Sequence, residues 1–124
     1  MIWKILNDIK SGYHHNKKNI KTKIFKRDYD IIKIFIKLNI IKKIIWLEKN
    51  TFLIEFSYIN NKKMFIIENV YKPSNKKIIK LKKLKKTFFR KNSILIISTN
   101  SGILTSKDAV VKNTGGLILS KIWS

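Results

Sequence analysis

The sequence predicts an α+β protein made of two small lobes, and three observations support this. Apolar residues at helical spacing near the start and after Asp28 predict two helices. Alternating apolar and polar residues predict strands in both halves of the chain. The only proline, Pro73, is the best boundary. It divides the 124 residues into an N-terminal α/β lobe, 1–73, and a C-terminal β-rich lobe, 74–124.

The N-terminal lobe opens with two predicted helices around a short strand. One apolar face predicts the first helix, which we expect to end at Gly12; this face comprises Ile2, Ile5, Leu6 and Ile9. A basic loop, 13–19, follows, and the alternation over 20–25 predicts a strand. Acidic residues favour the start of a helix because they complement the helix dipole, so Asp28 and Asp30 predict a second helix over 28–39.

Three further segments predict an antiparallel meander packed on these two helices. They cover 44–47, 52–58 and 64–70, and turn signals at 48–50 and 60–62 separate them. The order in this lobe is therefore α-β-α-β-β, with 64–70 as an additional third strand of the meander.

The C-terminal lobe begins with a strongly basic stretch, 76–91, which holds nine basic residues and no acidic one. Two interpretations fit this stretch nearly equally. One is a helix with a single apolar face, and the other is a strand followed by a helical turn. The face would be lined by Ile78, Leu81, Leu84 and Phe88.

The end of the chain shows the clearest pattern. A β-rich apolar run predicts a strand over 93–99, and a turn follows at 100–102. Thr105 with Asp108 three residues later has the form of a capping box, which predicts a short helix to about residue 112. We expect Gly115 and Gly116 to end that region because glycine takes a positive φ readily, and 117–123 to form the last strand.

Charge is the dominant feature of the composition. Lys and Arg total 28 against 7 Asp and Glu, which gives a net charge of +21. Solubility rarely requires more than about 8 net charges in a small domain. The excess opposes compaction unless a polyanion neutralises it, so a free-standing metabolic enzyme is not expected. The lack of cysteine excludes disulfides and thiolate zinc sites. No apolar run is long enough to predict a transmembrane helix.

The composition also indicates an A/T-rich genome. Just over half of the chain consists of 26 Lys, 25 Ile and 12 Asn, which A/T-rich codons encode. The first residues have the pattern of neither a signal peptide nor a presequence. A protein of an organelle would therefore be made there, or its presequence would be missing from this chain. Together with the family resemblance given below, these features predict an organellar product, first of all a mitochondrial one that works in the matrix. A plastid or the cytoplasm of an A/T-rich bacterium is the alternative.

Enzymatic signals are weak, and two other function classes stay open. The acidic residues are scattered, and His14 and His15 lack further ligands at metal-site spacing, so neither an enzyme nor a cofactor is predicted. A small nuclease would require a fold that brings Asp8 or Glu68 near His14. A basic membrane-surface or generic polyanion-binding protein would use 31–47 as an amphipathic face.

Nucleic-acid binding is the best-supported class, because basic residues recur along the chain between aromatic ones. The turn Ser98-Thr99-Asn100-Ser101 adds hydroxyl and amide groups at a strand end. Such groups can bind base edges, sugars and phosphates, or they can hydrogen-bond only within the turn. The sequence favours neither interpretation of the turn. The uncompensated positive charge of 76–91, by contrast, predicts phosphate contacts.

Several segments resemble the small-subunit ribosomal protein eight family. Residues 96–105 (IISTNSGILT), followed by Asp108-Ala109 and Gly115-Gly116, are similar to its C-terminal signature. Residues 5–12 resemble its opening helix, and 68–73 resemble the stretch before its interlobe linker. The resemblance therefore covers essentially the whole chain.

This resemblance implies a non-catalytic protein that binds the central domain of small-subunit rRNA and supports subunit assembly and translation. It also implies neighbours such as small-subunit protein five, with no membrane insertion and no small-molecule substrate. The turn would contact an irregular rRNA helix, the glycines would permit close backbone approach, and the N-terminal lysines would follow a neighbouring helix. With the phosphate contacts of the basic stretch, the predicted RNA-binding residues are Ser98, Thr99, Asn100, Ser101, Gly115, Gly116, Lys10, Lys17, Lys18, Lys82, Lys83, Lys85 and Lys86.

Overall fold

The chain divides into two compact α+β units, which confirms the predicted fold class. A computed structural model describes residues 2–58, 65–71, 74, 76–90 and 93–123. The units are Met1–Phe65, called the N-terminal lobe below, and Ile66–Ser124, called the C-terminal lobe. This division lies a few residues before Pro73. Pro73 itself is outside the described residues, so the boundary after it remains a prediction.

The N-terminal lobe has the predicted order α-β-α-β-β. Its three strands form an antiparallel sheet with β3 in the centre, between β1 and β2. Ile54 of β3 lies opposite Ile20 on one side and Ile44 on the other. The elements are α1 (Ile2–His14), β1 (Asn19–Lys23), a short 3-10 helix (Lys26–Asp28), α2 (Tyr29–Lys37), β2 (Ile41–Glu48) and β3 (Thr51–Phe56).

The apolar faces that predicted the two helices form the core of this lobe. On α1, Ile5, Leu6 and Ile9 are buried, and on α2 Ile31 and Phe35 are buried. Full burial of one such side chain contributes roughly 1.5–3 kcal/mol relative to exposure. The lysines lie on the other side of each helix, so the same spacing that buries the apolar face keeps the charges in solvent.

The predicted end of the first helix at Gly12 is wrong, because α1 continues to His14. The chain turns at Asn16, whose φ is 56°, and the Lys17 N–H donates to the Gly12 carbonyl over 3.1 Å. Gly12 has a packing role instead. A Cβ at this position would lie 2.7 Å from Cγ2 of Ile20, so the absence of a side chain lets α1 sit close to β1.

An aromatic pair joins the end of α1 to the chain that follows β3. The rings of Tyr13 and Tyr58 stack with centroids 5.5 Å apart and an interplanar angle of 13°. The Tyr58 hydroxyl donates to the Lys17 carbonyl over 2.6 Å. Burial, with a smaller contribution from Tyr13, raises the pKa of Tyr58, so this donor keeps its proton well above neutral pH.

A strand forms within the predicted segment 64–70, but its predicted place in the N-terminal meander is wrong. β4 (Ile66–Asn69) pairs with β8 (Gly116–Trp123) in the C-terminal lobe, with Ile67 opposite Ile122. β1 occupies the second side of β3 instead. Alternation identifies a strand and its two faces but not its partner, which explains the error. The turn predicted at 60–62 lies outside the described residues.

The C-terminal lobe is β-rich with two helices. Its sheet has the order β4-β8-β6-β7, in which β6 is Ser93–Thr99 and β7 is Gly102–Thr105, and β5 (Ile78–Ile79) also pairs with β8. Both interpretations of the basic stretch are partly correct, since a two-residue strand precedes a ten-residue helix. The side chain of Phe88, which we expected on the apolar face, is outside the described part of the chain. The two helices are α3 (Leu81–Arg90) and α4 (Ser106–Val111).

The predicted helix cap at Thr105 is confirmed, whereas β7 was not predicted. The Asp108 N–H donates to the Thr105 hydroxyl over 3.3 Å and so starts α4. β7 was missed because it has only four residues, Gly102–Thr105, which are too few to show an alternating pattern. α3 and α4 both pack on the sheet through one apolar cluster. It comprises Ile79, Leu84, Leu95, Ile97 and Ala109.

The reason predicted for Gly115 and Gly116 is also wrong. The positive φ after α4 belongs to Asn113, at 54°, and neither glycine has one. A Cβ on Gly115 would collide with the Ile79 carbonyl, and a Cβ on Gly116 would collide with the Ser98 carbonyl. The glycines therefore permit close packing of three backbone segments.

We expect Gly116→Ala to destabilise the protein by about 1–3 kcal/mol or more, because overpacking against an ordered strand cannot relax cheaply. Chemical denaturation would show this as a lower midpoint at an unchanged slope. Gly102→Ala is the matched control. Gly102 has open space around an added Cβ, but its φ of 103° strains any side chain, so this variant should lose about 1–2 kcal/mol from backbone strain alone, less than Gly116→Ala. An equal or larger loss in the control would contradict the packing argument.

Candidate nucleic-acid interface

The turn between β6 and β7 is held by Thr99. Its hydroxyl donates to the Gly102 carbonyl over 2.8 Å and accepts from the Ser101 N–H over 3.1 Å. Gly102 adopts the left-handed φ that closes the turn. The question that the sequence left open therefore has an answer for Thr99: its hydroxyl is used inside the turn, which fixes the conformation of the apex.

The two apex residues, Asn100 and Ser101, differ from Thr99. Both are exposed. Within the described residues, no hydrogen bond occupies the Asn100 amide or the Ser101 hydroxyl. A rigid turn thus presents an amide and a hydroxyl to solvent, and these groups can donate to and accept from base edges, sugars and phosphates.

Ser98 and the two glycines connect this turn to the basic helix. Ser98 is half-buried and pairs with Ile103 on β7 and Leu117 on β8. Its carbonyl faces the bare backbone of Gly116. Gly115 in turn packs against the backbone of 79–81, where β5 passes into α3. The structure therefore brings the predicted turn, the predicted glycines and the start of α3 into one continuous region of the C-terminal lobe.

The predicted lysines of α3 lie on the solvent side of that helix. Leu84 is fully buried in the cluster under the helix, and Leu81 is half-buried. The spacing of three residues between the two leucines keeps the other positions away from the core. The exposed side chains are those of Lys82, Lys83, Lys85 and Lys86. An amphipathic helix with one basic face thus extends from the glycine contact.

The remaining predicted residues belong to the N-terminal lobe. Lys17 and Lys18 are exposed in the loop between α1 and β1, and Lys10 is half-buried on α1. A groove of about 650 Å³ lies beside this loop and includes Lys17, but not Lys10 or Lys18, in its lining. The groove follows α1 and β1 and is bounded at one end by Glu48 and Thr51 of the β2–β3 hairpin.

Three further lysines line this groove, and our sequence reasoning did not include them. They are Lys4 on α1 and Lys21 and Lys23 on β1. Asp8 lies among them, and its carboxylate accepts a hydrogen bond from the Thr22 hydroxyl over 2.9 Å. The signal was present in the sequence. Lysines at alternate positions of a strand share its solvent face, and Lys4 lies one helical turn before Asp8.

The structure gives little support to the two alternative function classes. The segment 31–47 is not one amphipathic helix, since α2 ends at Lys37 and β2 begins at Ile41. In the described ranges, no helix is long and apolar enough to cross a membrane. No three His, Asp or Glu side chains gather as metal ligands among the residues that the structure describes. His15, directly after α1, bonds back to that helix, with its Nδ1 2.7 Å from the Ser11 carbonyl oxygen.

Comparisons with known proteins agree with the predicted resemblance. A sequence model of the family described as Ribosomal protein S8 matches residues 1–123. Small ribosomal subunit protein uS8 of Carsonella ruddii is 38% identical, over 98% of this chain and 92% of its own. Protein uS8c of Bigelowiella natans is 34% identical, over 85% of this chain and 65% of its own. Protein uS8 of Geobacillus kaustophilus is 31% identical, over 62% of this chain and 70% of its own.

These relatives come from bacteria and a chloroplast, so they do not support the mitochondrial assignment. The plastid and bacterial alternatives fit them. A match over nearly the whole chain, with an α+β fold in two lobes, leaves no ambiguity about the family. The chain belongs to the ribosomal protein S8 family of the small ribosomal subunit.

Proposed function

We propose that this protein is a non-catalytic structural component of the small ribosomal subunit that binds the central domain of its rRNA. The observation that carries the proposal is the fixed turn at 98–101, joined through two glycines to the basic helix α3. Family membership supports it independently. In this role the protein would help the subunit to assemble and to translate.

The C-terminal lobe would recognise an irregular part of an rRNA helix. A regular A-form helix hides its base edges in a deep, narrow groove, so proteins read distorted regions, minor grooves and 2′-hydroxyls. Asn100 and Ser101 would supply the polar groups, and Thr99 would fix their positions. Ser98, Gly115 and Gly116 would complete the contact surface. The two glycines would keep β8 and the start of α3 beside the turn, since the Ile79 and Ser98 carbonyls occupy the space that a side chain would need.

The lysines would supply affinity without sequence preference. Those of α3 would bind phosphates beside the turn, and Lys10, Lys17 and Lys18 would follow a second rRNA segment along the N-terminal lobe. The groove lysines Lys4, Lys21 and Lys23 extend that basic surface. Phosphate contacts position a protein on nucleic acid but carry no sequence information directly.

The setting that fits best is a bacterial-type ribosome in a plastid or an A/T-rich bacterium, because the relatives named above are bacterial and chloroplast proteins. A mitochondrial ribosome is the second candidate, which the lysine, isoleucine and asparagine bias alone supports. Small-subunit protein five would be a neighbour. The function requires no cofactor, small-molecule substrate or membrane insertion, and any Mg²⁺ would belong to the RNA.

We expect Ser98→Ala combined with Thr99→Ala to weaken binding to the cognate rRNA fragment about tenfold or more, because the apex loses the Thr99 hydrogen bonds that orient it and Ser98 loses its hydroxyl. Lost hydrogen bonds at a desolvated contact cost on the order of 1–3 kcal/mol. Binding to a regular duplex of equal length should hardly change. Titrations with both RNAs would measure the difference. Ser57→Ala, a half-buried serine outside the turn and the groove, is the control. Unchanged affinity in the double variant would remove both residues from the site.

We expect replacement of Lys82, Lys83, Lys85 and Lys86 by Gln to weaken binding to every RNA alike. It should also lower the slope of log K against log salt by up to about 3–4, since each of the four lost phosphate contacts removes roughly 0.7–0.9. The control replaces four other exposed lysines, Lys26, Lys33, Lys37 and Lys49, and so changes the net charge equally. An equal effect in the control, or a loss confined to one RNA, would contradict a localised phosphate contact.

A further inference from the structure

We propose that the free edge of β2 is a docking site for an extended segment of a neighbouring protein, which would add to the N-terminal sheet as a further strand. We call the exposed residues Ile45, Trp46 and Leu47 the edge patch. The inference goes beyond rRNA binding, and the patch shares no residue with the surfaces assigned to RNA above.

The edge of β2 is unpaired. The sheet order is β1-β3-β2, so β2 bonds to β3 on one side. No second strand pairs with it among the described residues. Unpaired N–H and C=O groups along an edge accept another strand readily, and natural proteins usually protect such edges with charged residues or bulges. Lys42 and Lys43 with a bulge protect the start of this edge, whereas the edge patch further along carries no charge. This edge is eight residues long, Ile41–Glu48.

The edge patch is strongly exposed for apolar residues. Trp46 is 63% exposed, Leu47 40% and Ile45 38%. Three consecutive large apolar residues on a free edge would promote aggregation unless another chain covers them. Scattered exposed apolar residues need no such explanation, but a contiguous patch on an unpaired strand does.

Two bulges in β2 determine how these side chains are arranged. At the first, Lys42 and Lys43 both lie against one residue of β3: their Nζ atoms are 3.7 and 3.8 Å from the carboxylate oxygens of Glu55. The second bulge lies between Trp46 and Glu48 and likewise puts two residues opposite one. Trp46 and Leu47 are therefore brought together opposite Phe52.

The patch is accessible from the edge rather than from one face of the sheet. Ile45 pairs with Leu53 and Trp46 pairs with Phe52, and consecutive residues of β3 point to opposite faces. A ligand on one face would reach only part of the patch. A strand laid along the edge reaches all of it, since its alternate side chains contact the two faces and its backbone bonds to β2.

The indole of Trp46 is fixed and has no free donor. Its Nε1–H donates to the Lys49 carbonyl at the tip of the hairpin over 2.8 Å. The ring stacks on no other aromatic side chain among the described residues. It therefore offers an oriented apolar surface, which is typical of the anchor residue in a protein interface.

Charge favours a protein over RNA as the occupant. The hairpin 41–56 holds three lysines and two glutamates, a net charge of +1, in a chain of +21. Glu55 lies beside two of these lysines, and Glu48 adjoins the patch. Phosphates would find little attraction here. A nearly neutral apolar edge is complementary to an extended protein segment without excess charge.

Amide hydrogen exchange tests the proposal. The β2 amides that face away from β3 should exchange fast in the free chain and in its complex with the rRNA fragment, whereas the amides bonded to β3 are protected in every state and serve as the internal reference. In the intact small subunit from the source organism the amides that face away from β3 should exchange at least about tenfold more slowly. Slow exchange already with rRNA alone would make RNA the occupant. Slow exchange that depends on the concentration of the free chain would indicate a second copy, and fast exchange in the subunit would leave the edge open. Each of these three results overturns the proposal.

Cross-linking and a charge variant complete the test. A benzophenone amino acid in place of Leu47 should cross-link to a protein of the intact subunit, and an adduct with rRNA alone would overturn the proposal. Ile45→Lys with Leu47→Lys should lower the slow-exchanging fraction of β2 in reconstituted subunits at least about tenfold. Its affinity for the rRNA fragment should not fall, since added lysines remove no phosphate contact, and this separates the inference from the proposed function. Val111→Lys is the control, since Val111 is 74% exposed on α4. This variant should keep both the slow exchange of β2 in reconstituted subunits and the affinity for the rRNA fragment.

Discussion

The close approach of three backbone segments at Gly115 and Gly116 determines the arrangement of the C-terminal lobe. Each glycine faces a carbonyl oxygen, that of Ile79 or that of Ser98, where a side chain would not fit. The contact at Ser98 brings β8 against the end of β6, next to the turn. The contact at Ile79 brings β5 and the start of α3 to the same place. The polar apex and the basic helix are neighbours because two residues have no side chain.

The net charge of +21 imposes a second constraint, since so many like charges oppose compaction. Among the residues that the structure describes, the fold keeps nearly all lysines in solvent, on strand positions such as Lys21 and Lys23 and on the outer side of α3. Few acids are available to balance them, and two of the seven lie in the hairpin 41–56. The charge is therefore unevenly distributed. The rRNA that we propose as partner would reduce the repulsion among lysines on the basic surfaces. The nearly neutral hairpin would instead contact the protein segment proposed above.

Asparagine replaces glycine at the helix ends of this glycine-poor chain. α1, α2 and α4 are followed by Asn16, Asn39 and Asn113, with φ angles of 56°, 63° and 54°. In each case the next N–H donates back into the last turn of the helix, as Ile40 does to Phe35 over 3.0 Å. Asparagine tolerates the left-handed region better than other residues with a side chain, so an Asn-rich composition can still end helices sharply.

Sequence by itself determined the α+β class, both N-terminal helices, the strand at 93–99, the Thr105 cap and the family, because periodicity, caps and motifs are local properties of the chain. Only the tertiary structure decided that β4 joins the second sheet, that Gly115 and Gly116 serve packing, and that Thr99 bonds within its own turn. These outcomes depend on which distant backbone segment comes close. Strand alternation specifies a face but no partner, and a glycine in a sequence does not show whether it is required for its φ or for its size.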